Sequence, residues 1–194
     1  MNQAQHVLAL LREARDKTIV LSFGRFNPPH RGHKLLTDLL VSTAQRLGAD
    51  HALYLKGRTG PKDPLSIEDR RHFLSLLTPG LRVLFDPRLP DPPDIFQSYS
   101  DTGYTSLVLV LGGDRQEKLT NDINTEVKAG RLHFTSIKLL SAGDRSGAEM
   151  WSATQQRDAA AANDYPAFRA GLPPTYPERE ALSLFAKVRR GMGL

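Results

Sequence analysis

The chain has 194 residues, 40% of them hydrophobic and 24% charged, which is ordinary for a soluble globular domain with one sizeable core. Its 26 Lys and Arg against 21 Asp and Glu leave a net charge of +5 and a pI of about 9.6, suited to phosphate-bearing small molecules and also compatible with nucleic acid. The absence of cysteine excludes disulfides and thiolate zinc sites, and no apolar stretch is long enough to span a bilayer, so a cytoplasmic protein without membrane contact is expected.

In chain order, Val7, Leu8, Leu10, Leu11 and Ala14 form an amphipathic opening helix, interrupted by too many charges to be a targeting segment. Thr18 to Phe23 reads as a buried strand. A helix then runs from about Arg31 to Leu47 with Leu35, Leu36, Leu39, Leu40 and Ala44 on one stripe. His51 to Lys56 is a second strand. Ser66 is the N-cap of a helix with Glu68 and Asp69 in its first turn, ended by Pro79-Gly80. Leu81 to Phe85 is a third strand, and the proline-rich Asp86 to Pro93 is a surface loop before a short helix over about Asp94 to Tyr99. Ser106 to Leu111 is the most apolar strand and is expected at the centre of a parallel sheet. A helix over Lys118 to Lys128, a strand near Leu132 to Leu139, and a helix capped by Ser152 with Gln155 complete the pattern. This alternation predicts a doubly wound, Rossmann-like α/β domain with a parallel sheet over residues 18–175. An opening helix over 1–17 precedes it, and a basic amphipathic helix over 176–194 is expected to pack on it.

The first strand leads into Gly24-Arg25-Phe26-Asn27-Pro28-Pro29-His30-Arg31-Gly32-His33-Lys34. A helix start leaves unpaired N–H groups and the positive end of the dipole facing the turn, so an anion is expected there. His30 and His33, three apart, fall on one face and can donate to the same phosphate, while Gly24 and Gly32 allow close backbone approach. A histidine pair can also be half of a metal site, but no third ligand stands at a familiar spacing nearby, so no protein-held metal is expected.

This segment resembles the HxGH signature of the nucleotidyltransferase superfamily, and its GRFxPxHxGH form is most similar to the archaeal-type nicotinamide mononucleotide adenylyltransferases. The resemblance implies catalytic phosphate contacts from His33, His30 and Arg25 and nucleotide contacts from Gly24, Phe26, Asn27 and Gly32. A second string, Lys62-Asp63-Pro64-Leu65-Ser66-Ile67-Glu68-Asp69-Arg70, resembles the segment after the second strand in those enzymes. It places Lys62 at a catalytic basic position, with lysine for arginine, and Arg70 on substrate; Lys56, at a strand end, is a further phosphate candidate. The third, Trp151-Ser152-Ala153-Thr154-Gln155-Gln156-Arg157, resembles the ISSTxxR signature with Trp for Ile and Ala for the second Ser. It implies nucleotide contacts from Ser152 and Thr154 and a catalytic guanidinium at Arg157. Gly113 and Asp114, in the Gly-Gly-Asp turn after the apolar strand, are substrate-binding candidates. Residues 163–173 also resemble the stretch after this signature in uncharacterised phage cytidylyltransferase-like proteins.

The activity so implied is transfer of AMP from ATP to a phosphorylated small-molecule acceptor with release of pyrophosphate, Mg²⁺ arriving with the triphosphate. A cytidylyltransferase, another adenylyltransferase of the superfamily, and a non-catalytic nucleotide- or RNA-binding module are the alternatives. Nucleic acid is the lesser expectation as a partner, and homo-oligomer formation stays open.

Overall fold

The computed structural model describes residues 17–112, 116–143 and 151–194. The expected opening helix, and the candidates Gly113 and Asp114, lie outside the described residues. The described elements are β1 (Thr18–Gly24), α1 (Arg31–Leu47), β2 (Asp50–Leu55), α2 (Ile67–Leu77), β3 (Val83–Leu84) and α3 (Pro92–Asp101). After them come β4 (Ser106–Leu111), α4 (Gln116–Lys128), β5 (Ser136–Ser141), α5 (Ala153–Ala161), α6 (Tyr165–Ala170) and α7 (Glu178–Gly191).

The five strands are all parallel, in the order β3-β2-β1-β4-β5. Side chains alternate across the sheet, which sorts them into two cores. Val20, Leu53, Leu55, Val108 and Val110 join one core with α1, α2, α5, α6 and α7, while Ile19, Leu21, Ala52, Leu107 and Leu109 join a second with α3 and α4. This is the expected doubly wound α/β fold. The direction in which strands are added to the sheet reverses across the β1/β4 boundary: β2 and β3 are added on one side of β1, β4 and β5 on the other. Such a boundary opens a crevice at the carboxyl ends of its strands.

Three local expectations are corrected. The middle strand is β1, which pairs with both β2 and β4; β4 is buried and interior but one place off centre, because hydrophobicity reports burial and not order in the sheet. The last strand runs Ser136–Ser141. Leu132 is buried, but the preceding residues join no ladder, the His133 N–H donating to Ser100 Oγ at 2.9 Å instead. Pro92 and Pro93 belong to α3, in its first turn, where a missing N–H removes no helix bond; the Asp91 N–H donates to the Asp94 carboxylate at 3.3 Å. The carboxyl-terminal helix α7 buries Ala181, Leu184 and Val188, and ties two neighbours together: Lys187 pairs with Asp69 of α2, and Arg189 donates to the Ala160 carbonyl of α5.

Candidate functional site

At the β1/β4 crevice lies a cleft of about 210 Å³, walled by the carboxyl ends of β1, β4 and β5, the start of α1 and the start of α5. Ser22, Arg25, His30, His33, Trp151 and Arg157 all line it. Ser22 Oγ is buried and has no hydrogen-bond partner among the described residues.

The start of α1 is built differently from the expected open anion cradle. His30 is the N-cap, and its Nδ1 accepts the Gly32 N–H at 3.1 Å. The Arg31 N–H goes to the Gly171 carbonyl at 2.8 Å, and the His33 N–H to the His30 carbonyl at 2.8 Å. The first-turn donors are therefore spent inside the protein, and an anion here meets the helix field and side chains instead of backbone N–H groups. There is a compensating consequence. Because Nδ1 accepts, the neutral His30 ring must carry its proton on Nε2, so the capping bond selects the donor tautomer. The His30 and His33 rings stack with centroids 3.7 Å apart, and Phe26 packs on His33 at 4.6 Å. Gly32 is needed for this: a Cβ there would lie 3.1 Å from both the His30 ring and the Trp151 carbonyl. The space beside Gly24 is filled by the Phe26 ring, 2.8 Å from where a Cβ would stand.

The three sequence strings meet through hydrogen bonds. The Asn27 side chain, 2% exposed, closes a pair with the Leu65 backbone: Nδ2 donates to the carbonyl at 3.1 Å and Oδ1 accepts the N–H at 2.9 Å. The Asn27 carbonyl accepts from Arg157 Nη1 at 2.9 Å, and Arg157 Nη2 donates to Thr154 Oγ1 at 3.1 Å. Asn27 is thus a joint between loops, and its amide is committed to protein contacts. Ser152 forms the expected capping box with Gln155, its Oγ accepting the Gln155 N–H at 3.1 Å. Burial pushes the Arg157 guanidinium down from its ordinary pKa, with Asp63 opposing the shift and Arg25 adding to it.

Arg70 lies inside the protein. It is fully buried, and its guanidinium donates to the carbonyls of Arg25 at 2.8 Å and Lys56 at 2.7 Å, and through Nε to Ser66 at 3.2 Å. It holds the loops after β1 and β2 together, so its reading as a substrate contact is corrected: no surface of it remains for a ligand. Burial lowers its pKa, with Asp63 and Glu68 opposing. Lys62 stands exposed on the Gly60 to Asp63 turn and lines neither this cleft nor its neighbour. Lys56 pairs with Asp91 at 3.4 Å on the wall of a second, wider cleft of about 930 Å³. That cleft shares Phe23, Gly24 and Arg25 with the first, and its walls include Arg58, Asp86, Phe85, Leu89 and prolines 87, 90, 92 and 93.

Two residues that sequence reasoning passed over belong to the site. Asp63, 7% exposed, pairs with Arg25 Nη1 at 3.6 Å. Trp151 lines the cleft with Arg31 over its ring at 5.5 Å, its Nε1–H donating to Gln156 Oε1. An aspartate directly after Lys62 at the head of the second string, and the chain's single tryptophan beside a capping box, are the signals that could have found them.

No family model matches the chain, and no curated protein matches it. Solved structures do. Thermotoga maritima TmcAL, crystallised with alpha-thio ATP, superposes with a TM-score of 0.50 at 13% identity over 91% of this chain. The macrolide-efflux protein of Streptococcus pneumoniae gives a TM-score of 0.50 at 16% identity over 82%. The chain corresponds to 56% of the length of each of these two proteins, and at such identities the likeness concerns the fold. No helix among the described residues is long and apolar enough to cross a membrane.

Proposed function

We propose that this protein is a nucleotidyltransferase of the HxGH kind that transfers AMP from ATP to a phosphorylated small-molecule acceptor, with nicotinamide mononucleotide as the leading acceptor. The observation that carries the reading is convergence. Arg25, His30 and His33 come from one segment and Arg157 from another more than a hundred residues later, yet all line one cleft at the sheet's switch point. Capture of TmcAL, a protein of the same fold, with an ATP analogue supports a nucleoside triphosphate as the ligand. The Ser22 hydroxyl, without a partner among the described residues, supports a polar one.

In this reading the triphosphate lies in the first cleft and the acceptor in the adjoining one, with Arg25 on their common wall. A phosphate oxygen of the acceptor attacks the α-phosphorus in line, and the bond to pyrophosphate breaks. The nucleophile is already ionised at neutral pH, so the protein supplies position and charge and no strong base. His30 donates through Nε2–H. Arg25 offers a planar fork to the phosphate oxygens, Arg157 adds its charge and the N–H groups left over from its bonds to Asn27 and Thr154, and His33 sits against the same phosphates. The cleft presents imidazole, guanidinium and hydroxyl groups, a donor set that suits phosphate and not a divalent cation. Mg²⁺ would therefore be held by the triphosphate and water, neutralising phosphate charge.

A panel of nucleoside triphosphates crossed with phosphorylated acceptors, scored by pyrophosphate release, tests the reading, and the emission of Trp151 reports binding independently. The expected result is preference for ATP and a requirement for a divalent cation. Equal or better release with CTP and a phosphorylated alcohol would replace the adenylyltransferase reading with the cytidylyltransferase one.

A further inference from the structure

We infer that Asp63 is the positioning residue of the phosphate cleft, a buried carboxylate that holds Arg25 at the cleft wall and releases it when a polyanion arrives. The inference rests on the reading of the cleft as a triphosphate site. Asp63 is 7% exposed and its backbone is pinned: its N–H donates to the Gly60 carbonyl at 2.8 Å and its carbonyl accepts the Gly60 N–H at 3.1 Å. Two residues on, Leu65 is gripped by Asn27. The carboxylate therefore has a fixed place.

One guanidinium is in contact with it, and two others feel its charge. Asp63 pairs with Arg25 at 3.6 Å and is the leading charge attracting both Arg70 and Arg157. Arg25 and Arg157 repel one another. Two like charges aimed at one ligand stay close only if a third group offsets them, and Asp63 is the carboxylate common to all three arginines. The arrangement is unequal. Arg70 is locked on backbone carbonyls and Arg157 on Asn27 and Thr154. Arg25 has a side chain 55% exposed, and its contact of 3.6 Å is longer than the roughly 2.8 Å of a strong charge-assisted bond. Arg25 is the arm free to exchange Asp63 for a phosphate oxygen. The fixed negative charge then has a second effect: it opposes excessively tight ground-state binding of the triphosphate and favours departure of pyrophosphate, so binding strength is reserved for the transition state.

The test is Asp63→Asn with inorganic tripolyphosphate as probe, binding followed by calorimetry and turnover followed on ATP. Expected is a gain in tripolyphosphate affinity of roughly five- to tenfold at low salt that vanishes at high salt. KM should fall, and kcat should drop by about tenfold because Arg25 loses its aim. In an Arg25→Gln background, Asp63→Asn should leave most of that affinity gain unrealised. A purely structural Asp63 would instead weaken binding and turnover together. If Asp63→Asn does not fold, Asp63→Glu carries the test: with charge kept but displaced by a methylene, affinity should stay within about twofold of the parent while kcat falls. Unchanged affinity in Asp63→Asn, an equal gain without Arg25, or parent-like kcat in Asp63→Glu overturns the inference. A parent that binds tripolyphosphate and shows the Arg25-dependent affinity gain, yet transfers no nucleotide, refutes the transferase reading and upholds this one. A parent that binds no polyanion refutes both.

Discussion

Replacing Asn27 with alanine removes both hydrogen bonds to Leu65 at once, and the structure fixes the size of the effect. Leu65 is fully buried and Asn27 is 2% exposed, so no water replaces the lost amide. One backbone N–H and one backbone C=O are left without partners, each costing about 1–3 kcal/mol, so the variant should lose roughly 2–6 kcal/mol of stability. For a chain of this size that lowers the melting temperature by on the order of 10 °C. Urea unfolding is the assay, with the midpoint expected to fall at unchanged slope. Asn27→Asp provides the control: it keeps an acceptor for the Leu65 N–H but turns a carboxylate oxygen toward the Leu65 carbonyl, 3.1 Å from the present Nδ2, so it should be at least as destabilising. A loss below about 0.5 kcal/mol for Asn27→Ala would refute the claim that this pair joins the loops after β1 and β2.

The other predictions test separate parts of the cleft. Arg157→Lys keeps the charge, but one ammonium cannot span the Asn27 carbonyl and Thr154 Oγ1, which two guanidinium nitrogens reach at 2.9 and 3.1 Å; triphosphate affinity and turnover should each fall about tenfold, and parent-like kinetics would reduce the start of α5 to a capped helix. A folded His33→Ala variant should lose at least about a hundredfold in turnover, measured as pyrophosphate release, and full activity would remove His33 from the chemistry. Stability should also fall in alkali. The Tyr104 phenol is pushed up to about 12 by burial and by its bond to Asp50 at 2.5 Å, against 10.0 ordinarily. Its fold therefore favours the neutral phenol: that contribution is complete below the ordinary value and disappears as pH rises through the folded one. Melting temperature against pH, with phenolate absorbance as the titration signal, checks this, and Tyr104→Phe should reduce the alkaline decline.

Sequence alone determined what depends on neighbours along the chain. The limits of α1 and β4, the Ser66 and Ser152 caps, and the α/β alternation are local matters of apolar period and capping chemistry, and the structure has them where the residues indicate. The three candidate strings were legible as strings, and so was the basic character of the cleft. What only the tertiary structure decided involves partners far apart in the chain. β1 is the middle strand because β2 and β3 lie on one side of it and β4 and β5 on the other, and no property of Thr18 to Gly24 encodes that order. Lys62 and Arg70 belong to one string, yet one faces solvent and the other is buried on carbonyls up to 45 residues away. The α1 start reads as an open anion site until Gly171, at the far end of the chain, takes the Arg31 N–H and His30 turns its own ring onto Gly32. A backbone donor has one bond to give, and only the folded chain decides what receives it.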